Sequence, residues 1–177
     1  MDVNALLGVR ESYQAPAALM GIIMDPQKLT ALAIKYCADE SDLSREHFRE
    51  YFMDQQSDRK GDKQDYTPDS IGDLITGIVG QRQRVLDIAG GIGGLTIHQW
   101  SQYQDGEYIV EEISSASLPF LLFNLFVRRI HAKVIHGDSL RRVAKDVYTV
   151  ANDRITKVEH TDENLKKYDL RGWVDEL

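Results

Sequence analysis

The 177-residue chain contains a single cysteine, Cys37, which excludes an intrachain disulfide and a zinc site built on thiolates. Its five histidines fall at no metal-ligand spacing, so no metal site is expected. There is no long hydrophobic run. The longest, at residues 118–127, is too short to span a bilayer and is interrupted by Asn124, and no signal peptide is visible. These features predict no membrane association and a cytoplasmic protein. Positive charge is also scarce. With a net charge of −7, the chain is not one that coats nucleic acid or an anionic membrane without specificity, although a local basic patch remains compatible with it.

What is present divides into two parts. Residues 1–60 read as an N-terminal helical segment and residues 61–177 as a ligand-binding domain. Pro16 opens one helix, and Asp25 followed by Pro26 caps a second. Leu29, Leu32, Ala33, Tyr36 and Cys37 mark the core-facing side of that second helix. Caps at 41–44 start a third helix carrying Phe48, Tyr51 and Phe52. Residues 57–65 hold no apolar side chain and read as a linker. Thr67 caps a helix whose stripe is Ile71, Leu74, Ile75, Ile78 and Val79.

Strands follow at 84–87, 107–111, 133–136 and 147–150, with helices to about residue 100 and over 118–129, and a hairpin return at 155–159. The β-α-β-α-β order predicts an α/β fold with a short, mainly parallel sheet.

The first strand ends on Asp87 and runs into Ile88-Ala89-Gly90-Gly91-Ile92-Gly93-Gly94. Glycines at a strand-to-helix turn let the backbone bend sharply and approach a ligand closely. Glu112 stands about 20 residues beyond the loop, the interval at which a carboxylate meets a ribose diol. Asp138 ends the third strand and can accept from an exocyclic adenine amine. No P-loop lysine follows the glycines, so a triphosphate is disfavoured. The basic residues Arg128, Arg129, Lys133, Arg141, Arg142 and Lys145 form either a phosphate contact or a solvated face. His98 and Trp100 read as packing residues, Asn124 as a satisfied core polar group and Cys37 as core.

Four segments in order carry a family likeness: Tyr66-Thr67-Pro68, the Asp87 loop, Glu112-Ile113 with Leu118-Pro119, and Gly137-Asp138-Ser139-Leu140. Together they resemble the N6-adenine DNA methyltransferases, in particular the modification subunits of type I restriction systems. The resemblance implies a Rossmann-like core that binds S-adenosylmethionine. Thr67 and Pro68 would lie beside the methionine part, and Asp87, Ala89, Gly91 and Gly93 would bound the amino-acid end. Glu112 would hold the ribose and Asp138 the adenine amine, between Ile113 and Leu140.

The chain also departs from that pattern. Gly90 and Ile92 replace a Cys and a Ser, and Ile92 adds bulk where backbone and ligand come close. The family's Asn-Pro-Pro-aromatic segment is reduced to Asn152, which would orient the amine that receives the methyl group. The resemblance implies DNA as the substrate and a partner subunit for target recognition. Two alternatives stand beside it: a non-catalytic S-adenosylmethionine-binding or interaction module, and a methyltransferase for a small molecule or protein.

Overall fold

In a computed structural model of the chain, described over residues 1–56, 66–151, 153–159 and 161–163, local capping chemistry starts the first helices. Asp2 accepts the Ala5 N–H at 3.0 Å and opens α1 (Val3–Leu7). Pro16 lies in the first turn of α2 (Ala15–Ile23). Asp25 accepts from Gln27 and Lys28 at 3.1 and 3.2 Å, and Pro26 begins α3 (Pro26–Asp39), as the sequence predicts. The inward face of α3 is Leu29, Leu32 and Tyr36. Cys37, one step further round the helix, is exposed and not part of the core.

The expected third helix is largely absent. Only α4 (Arg49–Tyr51) forms, running into a π-helical turn at Phe52–Gln56. The residues before it are held by tertiary bonds that compete with a helix. The Arg128 guanidinium takes the carbonyls of Leu43 and Arg45, and the Glu46 carboxylate accepts the Phe48 N–H. Phe48 and Phe52 are nevertheless buried, stacked among Tyr36, Phe120 and Phe123.

The remaining elements are α5 (Asp69–Val79), β1 (Arg84–Ile88), α6 (Gly94–Gln102), β2 (Glu107–Glu112), α7 (Leu118–Val127), β3 (Ala132–Asp138), β4 (Val143–Ala151) and β5 (Arg154–Lys157). No side chain caps α5, whose N-cap is Pro68 rather than Thr67. Its apolar stripe is also misread by periodicity: Gly72 and Thr76 face inward, while Ile78 is 75% exposed.

The five strands lie in sequence order across one sheet. β1, β2 and β3 are parallel, and β4 and β5 are antiparallel additions at one edge. The fourth strand therefore does not continue the parallel series. Only four residues separate Asp138 from Val143, enough for a hairpin and far short of a crossover. The hairpin from β4 into β5 agrees with the expected return.

One core cluster joins both parts of the chain. It runs from Val3, Leu19, Tyr36 and Phe48 through α7 to Tyr108, Val110, Val134 and Val150 on one face of the sheet. α7 is buried from Leu118 to Phe126, in keeping with its apolar circumference. A smaller cluster about Ile135 and Val147 occupies the other face. Among the described residues, no single helix is long and apolar enough to cross a membrane.

Glu111 also lies on that second face. It is 1% exposed, and neither carboxylate oxygen has a hydrogen-bond partner among the described residues. Burial, with Asp138 and Glu112 adding like charge, pushes its carboxyl up to about 7 from an ordinary value of 4.5. A proton held more tightly by the folded than the unfolded chain stabilises fully below the unfolded value, and that stabilisation is lost as pH rises through the folded one. Glu111→Gln should therefore melt close to wild type at pH 4.5 and clearly higher at pH 8. Melting curves offset equally at both pH values would show that Glu111 does not titrate in this interval.

Candidate functional site

The glycine loop owes its shape to two residues in particular. A side chain at Gly90 would place Cβ 2.3 Å from Val110 Cγ1, so the residue is glycine because the loop lies against β2. Gly91 has φ of +59°, and its N–H donates to Glu112 Oε2 at 2.7 Å. Ala89 holds φ of +66° without being glycine, backbone strain of the kind that collects at binding sites. Ile92 borders the cavity at the strand ends, but little of it is open to that space. Its side chain is 1% exposed and sits in the core, while its carbonyl accepts from Asn124 Nδ2 at 2.8 Å.

The carboxyl ends of β1, β2 and β3 lie side by side, but of the three acids expected to line one crevice only Asp87 and Glu112 do so. Asp87 ends the body of β1 and its Oδ2 accepts the Thr96 hydroxyl at 2.7 Å, tying the strand to α6. Glu112 closes β2, with Oε1 accepting from Ser114 N–H at 2.6 Å while Oε2 holds Gly91. Burial raises the pKa of both carboxyls, against the hydrogen bonds that lower them. Asp138 closes β3, but its Oδ1 is engaged by the N–H groups of Leu140 and Arg141 in the β3–β4 turn. Leu140 is 96% exposed and Ile113 half exposed, two apolar side chains open to solvent at the strand ends.

A cavity of about 240 Å³ opens at these strand ends. Of the residues expected from sequence, Thr67, Asp87, Ala89, Gly91, Glu112 and Ile113 line it; Pro68, Gly93, Asp138 and Leu140 do not. Asn152 lies outside the described residues. Ala151, the residue before it, pairs with Arg154 beside the start of β3, at the end of the sheet opposite the cavity.

Tyr66 of the Tyr-Thr-Pro segment also lines it, and the structure adds lining residues that the motifs do not signal: Glu46, Arg49, Asp69, His98 and Ser117. The Tyr66 hydroxyl meets Ser117 Oγ at 3.2 Å. His98, read from sequence as a packing residue, stands between Asp69 and Asp73 at 3.5 and 3.3 Å and contributes to the lining. Gly72 makes room for its ring. Among the described residues the lining holds four acidic side chains, Glu46, Asp69, Asp87 and Glu112, against the guanidinium of Arg49, and burial raises the carboxyls of Glu46, Asp87 and Glu112. Such a lining suits a cationic ligand and opposes a polyphosphate. Arg128 is not part of any phosphate-binding face. It is 3% exposed, bonded inward to Asn124, Leu43 and Arg45.

A glycine turn at the carboxyl end of a parallel strand, an acid on the neighbouring strand and an acid-rich cavity together make an α/β domain with a candidate ligand site at its strand ends. Comparison with protein families gives a match to the N-6 DNA Methylase model over residues 42–166, and the chain belongs to that family. The match begins inside the N-terminal segment and so takes in Glu46 and Arg49. No curated protein and no solved structure matches the chain.

Proposed function

We propose that the chain binds S-adenosylmethionine in this cavity, within a Rossmann-like core, and serves adenine-N6 methylation of DNA in a restriction-modification system of the cytoplasm. The observation that carries this reading is the bridge from Gly91 to Glu112 at the mouth of an acid-lined cavity. Glu112 spends one lone pair of each oxygen on backbone N–H groups and keeps the others for two ribose hydroxyls. Thr67 would flank the methionine part and Ile113 the adenine ring; Pro68, Leu140 and Asp138 lie outside the cavity lining, and Asp138 Oδ2 meets Arg141 Nε at 3.5 Å. The net negative lining favours a ligand carrying both a sulfonium and an ammonium group. When bound, the sulfonium supplies an already activated methyl group, so the chain needs to orient an acceptor amine rather than perform extensive acid-base chemistry.

Calorimetric titration tests the binding step. S-adenosylmethionine should bind with micromolar affinity while ATP gives no heat; equal binding of both would remove the charge argument. Transfer of labelled methyl groups to DNA, with a partner subunit supplying base recognition, tests the reaction. Ala151 stands at the end of the sheet opposite the cavity, so Asn152→Ala should leave that transfer undiminished, and reduced transfer would return Asn152 to the role of orienting the amine.

A second reading has a specific observation in its favour. The sequence contains no Asn-Pro-Pro-aromatic segment, and β4 runs antiparallel to β3. On this reading the chain is a non-catalytic S-adenosylmethionine-binding module. It expects ligand binding without transfer to DNA, whichever partner is added.

A further inference from the structure

Glu46 and Arg49 reach the cavity from the N-terminal segment, outside every motif that the glycine loop belongs to. Glu46 Oε1 accepts from the Phe48 N–H and from Asn124 Nδ2, the latter at 3.2 Å. Its Oε2 is buried and has no hydrogen-bond partner among the described residues. Arg128 is the neighbouring cation, but its N–H groups are directed to Asn124 and to the Leu43 and Arg45 carbonyls. A buried carboxylate oxygen left open is costly, and a cavity beside it gives that cost a use.

Arg49 presents the opposite charge. Its Nη1 meets Asp69 Oδ1 at 3.2 Å, and the side chain is 36% exposed. A guanidinium carries five N–H donors, so one such contact leaves capacity for another acceptor. The position of the pair along the loop is also defined. Asn124 holds both Glu46 and the carbonyl of Ile92, the residue that follows Gly91. Gly91 is the residue that holds Glu112. Glu46 therefore stands one step along the loop from the acid assigned to the ribose. Asp87, the other acid there, already has Oδ2 engaged by Thr96.

We propose that Glu46 and Arg49 form a clamp for an α-amino-acid zwitterion, Glu46 Oε2 accepting from the ammonium and Arg49 donating to the carboxylate of the ligand's methionine part. The inference rests on the S-adenosylmethionine reading and extends the site into the N-terminal segment. Burial pushes the Glu46 carboxyl up to about 7, against the Phe48, Asn124 and Arg128 interactions that lower it, and a bound ammonium would favour its ionised form.

The test is a pair of titrations on the full chain at pH 7.5. One ligand is S-adenosylhomocysteine; the other is 5′-methylthioadenosine, which keeps the nucleoside and thioether and lacks the amino acid. Wild type should prefer S-adenosylhomocysteine strongly. Glu46→Gln and Arg49→Gln should each cut that preference about tenfold, the scale of one charge-assisted hydrogen bond, and leave methylthioadenosine affinity unchanged. Glu46→Gln retains an oxygen for Phe48, and Arg49→Gln gives up only a partly exposed ion pair, so circular dichroism melts should confirm folded variants. Full preference in both variants, or no preference in wild type, overturns the clamp alone. Wild type binding neither ligand overturns the cofactor reading and the clamp with it.

Discussion

Glu112→Ala should lower affinity for S-adenosylmethionine by at least about 100-fold in calorimetric titration, the loss expected when two charge-assisted hydrogen bonds to one ligand disappear. The effect has two sources. The ribose loses its acceptor, and Gly91 and Ser114 lose the carboxylate that joins loop to strand at 2.7 and 2.6 Å. Glu112→Gln separates them only in part. A carboxamide has a single acceptor oxygen, so one of the two backbone N–H groups would face an NH₂ group instead. That variant should lose roughly tenfold, between wild type and Ala, on the same one-bond scale. Affinity held within about threefold in Glu112→Ala would exclude Glu112 as the ribose ligand, since a single charge-assisted hydrogen bond is worth more than that.

Arg128→Met should be the most destabilising of these changes, costing about 3–5 kcal/mol, because a buried cation is removed while its partners stay buried. Methionine fills much of the volume but supplies no donor. The Leu43 and Arg45 carbonyls and Asn124 Oδ1 would all lose their contacts, and Glu46 would lose its nearby positive charge. For a chain of this size the melting temperature should fall by roughly 10 °C. Hydrogen exchange should rise first in residues 40–52, which Arg128 holds to α7. Uniform acceleration across the sheet, with 40–52 unchanged, would show that Arg128 does not anchor the segment.

The two variants mark where the sequence was informative and where it was not. Strand ends at Asp87 and Glu112, the glycine turn and the cap at Asp25 were legible because each is a local signal, with residue type and spacing reporting backbone geometry directly. The orientation of β4 was legible in principle, since too few residues follow Asp138 for a crossover. Glu46 and Arg49 give no such signal. They are ordinary charged residues in a polar stretch, and only their approach to Asn124, Ile92 and Asp69 makes them part of a site. Arg128 misleads in the same way, because a basic residue beside Arg129 reads as surface until its partners 83 and 85 residues earlier are known. Periodicity located the stripe on α5 but could not tell which side of that helix the rest of the chain would cover.

That separation in sequence also sets an order of events at the ribosome. Leu43 cannot find its partner until 85 further residues have been added, an interval of several seconds at roughly 5–20 residues per second. Over that time Tyr36, Phe48 and Phe52 leave the exit tunnel with none of α7 yet synthesised to receive their rings. The nascent chain thus displays an aromatic surface of the sort that chaperones engage. Slowing elongation between codons 56 and 118 should lengthen that exposure and lower the soluble yield.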